Sequence, residues 1–313
     1  RLDAAIREAL GDAPHALVTV DDGHDGDVDA AFISRDVTGL STKHEVLPDT
    51  ARFYDALLAS RSLRWVHTHA AGADRPVLLA LRGRDVQVTT SSGANALVVA
   101  HSALAGVLAL ARELPRLLAA QNERRWAPLI GSGMPRDLQG QSAVVIGWGP
   151  IGQEIGRLLQ ALGLEVTAVR GGDAPAGAGV STVPYERLAD VLPRADWVLL
   201  ACPLSERTHG LLDARALALL PAGARLVNVA RGEVVDEPAL VAALRAGRLA
   251  GAFLDVFAHE PLPVESPLWT LPNVIATPHS AGFSDGNAAR VDAMFLDNLR
   301  RWRAGAELRN LAS

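Results

Sequence analysis

The sequence predicts an α/β protein of two domains, each a parallel sheet covered by helices, and three observations predict it. Short apolar runs at 143–146, 166–169, 197–201, 226–229, 252–256 and 274–276 are mostly separated by helix-like stretches such as 151–162, 213–220 and 237–246. Runs that lack the in–out alternation of a half-exposed strand mark sheets buried on both faces. A weaker form of this rhythm fills the first ninety residues, with runs at 16–20, 30–33, 63–67 and 86–89 and a helix-like stretch at 49–60. The length, 313 residues, suits two cores better than one.

Between the two units, 95–116 is a long Ala- and Leu-rich helical stretch stopped near Pro115. Its apolar residues nearly encircle it, which predicts burial between domains or subunits. A loop with Pro128, Gly131, Gly133 and Pro135 opens the second unit, and 287–303 closes the chain as an amphipathic helix placed to return to the first. Half of the residues (49%) are hydrophobic and 21% charged, as in an ordinary globular protein. A net charge of -5 and an isoelectric point near 6.0 argue against a nucleic-acid surface. Arg124, Arg125 and Trp126 read as a helix-end surface feature. No apolar run reaches membrane-spanning length, and no signal-peptide pattern follows Arg1. The single cysteine, Cys202, rules out an intrachain disulfide and cysteine-held zinc, and fits a reducing cytoplasm.

"VVIGWGPIGQEIG" sets Gly147, Gly149 and Gly152 between a strand and a helix. A helix N-terminus offers unpaired backbone N–H groups and partial positive charge, so it can hold a pyrophosphate. In that reading Gly147 permits the tight turn, Gly149 admits the phosphates and Gly152 lets helix and strand pack closely. Downstream, Arg231 follows one apolar run, Asp255 and then Glu260 another, and His279 the last. Taken singly they read as a loop salt bridge, a solvated acid and a turn residue. Together, at the carboxyl ends of strands beside a dinucleotide turn, they read as a catalytic set.

With "SSGANALVVA", "CPLSERTHGLLD" and the stretch from "NVARGEVVDEPAL" through "GAFLDVFAHEPLP" to "NVIATPHSAG", the chain resembles the D-isomer-specific 2-hydroxyacid dehydrogenases over nearly its whole length. The resemblance implies a Rossmann-type doubly wound cofactor domain over residues 94–280. It also implies a smaller flavodoxin-like substrate domain formed by 1–93 and the C-terminal helix segment 281–313, with the active site in the cleft between. It implies a homodimer through the cofactor domains and no metal. The activity implied is hydride transfer between NAD(P)H and a small 2-keto or 2-hydroxy acid, as in glyoxylate and hydroxypyruvate reductases. A phosphoglycerate dehydrogenase-like enzyme is the nearest competitor, for which Arg35 and Arg75 are the available cations. From another class comes a non-enzymatic dinucleotide sensor, against which the intact Arg231, Glu260 and His279 argue.

By motif position the resemblance makes His279 the general acid/base, a task suited to an imidazole. Glu260 would orient that ring and favour its protonated form. Arg231 would take the substrate carboxylate with its planar donor fork. The loop Ala71, Gly72 and Ala73 would meet the same carboxylate through backbone N–H groups, and Asn95 would line the cleft. Pro150, Ile151, Cys202 and Pro203 fall on cofactor-contacting positions. So do Thr208, Ala230 and Asp255, the last near the nicotinamide carboxamide, although Asp255 and Asn95 also suit capping or hinge roles. His67 and His69 precede the substrate loop, and His69 is a possible substrate contact. Trp126 matches an aromatic that in some relatives reaches the neighbouring subunit. One departure is His101, at a helix position, expected to be buried, where relatives carry glutamate.

"EVTAVRGGD" ends the second strand of the cofactor unit on Arg170. An acid there would hold the ribose hydroxyls of NAD; an arginine attracts a 2′-phosphate. The expectation is therefore NADP(H) in preference, with NAD(H) possible. The competing reading has Arg170 in solvent and Asp173 on the ribose. No second cation lies in "GGDAPAGAGV", so the phosphate site reads as single-handed.

Overall fold

The computed structural model describes residues 2–19, 27–131, 134–172 and 174–312. Two compact units emerge, Arg1–Asn95 with Ser284–Ser313, and Ala96–Phe283. In the first, α1 (Leu2–Leu10) precedes β1 (Ala30–Ile33), α2 (Arg35–Thr38), α3 (Pro48–Ala59), β2 (Trp65–Thr68), α4 (Pro76–Arg82) and β3 (Gln87–Thr90). The strands form a parallel sheet in the order β1-β2-β3. Proline opens both α3 and α4, where its missing N–H costs nothing. Leu78 and Leu81 of α4 are fully buried against Val66 and Val88, and each such side chain contributes about 1.5–3 kcal/mol. The run expected at 16–20 does not join this sheet over its described part: 16–19 lie outside any strand, and Val18 is exposed. The first unit, also α/β, thus has three strands among the described residues.

In the second unit α5 (Ala96–Ala111) and α6 (Leu114–Asn122) replace the single helix expected over 95–116, bent by 69° at the break. Pro115 stops nothing; it stands in the first turn of α6. Then follow β4 (Ser142–Ile146), α7 (Pro150–Ala161), β5 (Glu165–Arg170), β6 (Val180–Pro184), α8 (Leu188–Val191), β7 (Trp197–Leu200), α9 (Ala214–Leu219), β8 (Ala224–Asn228), α10 (Glu237–Arg245), β9 (Leu249–Leu254) and β10 (Val274–Ala276). All seven strands are parallel, in the order β10-β9-β8-β7-β4-β5-β6. Chain order reverses beside β4, and in such sheets ligands bind outside the strand ends at that switch. β7 is wholly buried, with Val198 and Leu200 in one core and Trp197 and Leu199 in the other, which explains its continuous apolar run. β6 escapes the sequence pattern because it is a half-exposed edge strand, with Ser181 and Thr182 interrupting its apolar residues and proline ending it.

His101 is exposed on α5, which corrects the expectation of a buried position; it lies near Glu154 of α7 and helps to lower that carboxyl's pKa, behind the Arg157 hydrogen bond. The final helix, α11 (Asn287–Arg303), packs within the first unit. Phe295 stacks on Phe32 at 4.4 Å and on Trp65 at 5.7 Å, and Leu299 joins the same core. No single described helix is long and apolar enough to cross a membrane.

Candidate active site

The glycine turn follows β4. Gly147 has φ +97°, a left-handed conformation that favours glycine, and a Cβ there would strike the Cys202 backbone. At Gly152 a Cβ would run into the carbonyl of Gly147, so the first turn of α7 and the end of β4 touch through backbone alone. Around Gly149 a Cβ would meet nothing within 4 Å, and Pro150 opens the helix beside it. Ile151 turns its side chain into the core. Open space in front of unpaired first-turn N–H groups fits a pyrophosphate. Trp148, unnoticed in the sequence, lies on Gly156 and gives its indole N–H to the carbonyl of Ala176 at 3.0 Å. Ala176 in turn gives its N–H to Thr182 Oγ1 at 3.0 Å, so the segment beyond Arg170 is tied back to the glycine turn.

Arg170 is the last residue of β5, half-buried, and makes no hydrogen bond or ion pair with any described residue. Asp173, its competitor for the ribose, lies outside the described residues. Cys202 is buried, which pushes its thiol up to about 12; the group is a neutral strand-end filler. Pro203 begins a tight loop. Thr208 Oγ1 donates to the Pro203 carbonyl at 2.6 Å and accepts from Ser205 N at 2.8 Å, so its hydroxyl closes the loop. Ala230 is buried beyond β8 with its N–H on Asn228 Oδ1.

Three strand ends bring the charged set together. Glu260 Oε2 accepts from His279 Nδ1 at 2.8 Å, and Oε1 accepts from the Phe257 N–H at 3.1 Å. With Nδ1 committed to a carboxylate, Nε2 is the nitrogen left for proton exchange. The imidazole is about half exposed (47%) and the carboxylate 12%, an arrangement open to substrate on one side and held on the other. Burial raises the Glu260 pKa, but the bond and charge from His279, the Phe257 N–H and the charge of Arg231 outweigh it and leave the carboxyl below its ordinary value. Arg231 directs Nη1 to its neighbour's carbonyl, Ala230, at 2.7 Å. Asn228, buried and overlooked in the sequence, gives its side-chain amide to the Arg231 carbonyl at 2.9 Å and so fixes the turn. Gly232 makes the encounter possible: a Cβ would collide with Phe257, so the turn bearing Arg231 lies directly on the backbone leading to Glu260.

Asp255 lies buried just past β9. Its Oδ1 accepts from Thr277 Oγ1 at 2.7 Å and Ser280 N at 2.8 Å, and Oδ2 accepts from Ala281 N at 3.0 Å. Burial, opposed by these donors and by His279, holds its pKa above the ordinary carboxylate value. Its carboxylate is thereby committed to the loop that carries His279, a residue at φ +50° whose own N–H bonds the Asp255 carbonyl.

In the first unit, Ala71, Gly72 and Ala73 form a half-buried loop after β2. Lys43 lies 3.7 Å from Asp74, and Arg75 reaches the Ser41 and Thr42 carbonyls and Tyr54 Oη, pinning the far end of that loop. Asn95 Oδ1 is buried without a hydrogen-bond partner. His67 is fully buried between Thr89 Oγ1 and Ser91 Oγ, and burial takes its pKa down to about 4. His69 meets Thr38 Oγ1 at 3.0 Å and is likewise lowered to about 4, by burial and then by the charges of Arg35, Arg75 and His67. Among the described residues no three His, Cys, Asp or Glu side chains gather as metal ligands.

Comparison with known proteins gives the same direction. A profile of the D-isomer specific 2-hydroxyacid dehydrogenase NAD-binding domain matches residues 104–281. An (S)-sulfolactate dehydrogenase of Chromohalobacter salexigens is 38% identical over 84% of this chain and 85% of its own. A glyoxylate reductase of Korarchaeum cryptofilum is 33% identical over 82% and 77%. Among solved structures, a D-isomer specific 2-hydroxyacid dehydrogenase from Xanthobacter autotrophicus Py2 in complex with NADPH and MES superposes with TM-score 0.78 at 33% identity, covering 100% of this chain and 93% of that one.

Proposed function

The chain belongs to the D-isomer-specific 2-hydroxyacid dehydrogenase family, and from that premise we propose that it reduces a small 2-keto acid with NADPH as the preferred cofactor. It is an NAD(P)-dependent oxidoreductase of 2-hydroxy acids. The observation that carries the catalytic reading is the His279–Glu260 pair with Arg231 beside it. A dinucleotide held by its pyrophosphate at the glycine turn would supply the hydride from its nicotinamide. His279 gives the proton from Nε2 to the keto oxygen. Glu260 keeps Nδ1–H in place and stabilises the imidazolium that precedes transfer. Arg231 takes the substrate carboxylate with its planar donor fork. Asp255 holds the His279 loop in register.

For the cofactor, the supporting observation is Arg170 at the tip of β5. For the substrate, glyoxylate and hydroxypyruvate are the first reading. A second, a 2-keto acid with another anionic group at C3, is favoured by Arg35 and Arg75, both close enough to His69 to oppose its charged form. The name of the Chromohalobacter relative points the same way. A matrix of NADPH and NADH against glyoxylate, hydroxypyruvate, 3-sulfopyruvate and 3-phosphohydroxypyruvate tests all of this. Higher kcat/KM with NADPH is expected; parity or better with NADH removes the cofactor assignment. The buried thiol suits the cytoplasm. Exposed Leu97, Leu108, Leu118 and Trp126 suit a homodimer, for which the mass in solution is the check.

A further inference from the structure

Arg170 is not alone at the tip of β5. The strand order sets β4 between β7 and β5, so a loop leaving β7 must cross above the glycine turn to reach the β5 side. It does: the Cys202 backbone sits where a Cβ on Gly147 would stand, and Arg207 Nη1 lies 3.6 Å from the Cβ position of Gly171. The crossing is held by a closed ring of bonds. Thr208 N and His209 N both donate to the Ser205 carbonyl, at 3.0 and 2.9 Å, and Thr208 Oγ1 ties to Pro203. Arg207 is therefore presented by a rigid turn, next to the residue that follows Arg170.

What Arg207 otherwise touches is weak. Its Nη2 is 3.7 Å from Glu186 Oε1, with both side chains more than half exposed, and its guanidinium lies 5.9 Å from the Tyr185 ring centroid. An exposed pair at that distance contributes little and is easily exchanged for a better anion. A dinucleotide on the glycine turn directs its adenosine ribose to the tip of the following strand, which here is Arg170 and Gly171. We propose that Arg207 and Arg170 together form a two-guanidinium clamp for the adenosine 2′-phosphate, with Glu186 as the carboxylate Arg207 leaves to enter it. This rests on the NADPH reading, and supplies the second cation that the residues following Arg170 lack.

The test uses calorimetric titration of the full chain with 2′,5′-ADP and with ADP, which differ by the 2′-phosphate and need no turnover. Wild type should prefer 2′,5′-ADP, and the preference should shrink with added salt. Arg207→Gln should lower 2′,5′-ADP affinity about tenfold or more and leave ADP within about twofold. Arg207→Lys should retain part of the preference, and Glu186→Gln should increase it. No preference in the wild type would overturn the NADPH reading and the clamp together. A preference lost in Arg170→Gln but intact in Arg207→Gln would overturn the clamp alone. Equal losses for both ligands in Arg207→Gln would overturn it too, by assigning Arg207 to the adenosine instead of its phosphate.

Discussion

His67 and His279 both stand near the carboxyl ends of parallel strands, His67 in β2 of the first unit and His279 just past β10 of the second. His67 is sealed among hydroxyls. Ser91 Oγ donates to the Thr68 carbonyl and so accepts from His67 Nε2; Thr89 Oγ1 accepts from Trp65 Nε1 and donates to Nδ1. That closed circuit fixes a neutral ring. His279 instead has a carboxylate on one nitrogen and about half of its side chain open. Position at a strand end is common to both, and the proposed chemistry rests on the one with an anionic partner and an exposed face.

The comparison breaks most visibly at His279. His279→Ala should cut kcat by about 10²–10⁴-fold with cofactor affinity unchanged, and wild-type turnover would remove the ring from the mechanism. Glu260→Gln makes the surroundings of His279 resemble those of His67, with a neutral partner; a loss of roughly 10–100-fold is expected, the value of one charge-assisted bond. Undiminished turnover there would reduce Glu260 to a structural acid. The smallest effect concerns stability. The His67 pKa is lowered when the chain folds, so the unfolded chain takes the proton first as pH falls. Stability from this group is full above about 6.5 and declines toward about pH 4, by about 3 kcal/mol in total. His67→Gln should flatten that decline in urea unfolding at pH 7 and 5. An unchanged slope would show that His67 does not carry it.

Strands β4, β7 and β8 were legible because burial on both faces writes a continuous apolar run into the sequence. Arg231, Glu260 and His279 were legible because each follows such a run. Pro115 was read as an ending because a proline after a helical pattern has two meanings, and only the backbone distinguishes the last turn from the first. Asn228 and Thr277 left no signal, since their work is hydrogen bonding to neighbours across a turn. Arg207 was invisible for a topological reason: it lies 37 positions beyond Arg170, and only the placing of β4 between β7 and β5 brings the two loops together. The bonds of Asp255 run to a loop more than twenty residues away, which no local pattern records.

Gly232 carries no functional group, yet it has less freedom to vary than many residues that do. A single methyl there would separate two backbone segments, and with them the guanidinium of Arg231 from the carboxylate of Glu260. In a mutational survey scored by activity, intolerance at this position would look like a catalytic residue. Its cause would be the thickness of a chain.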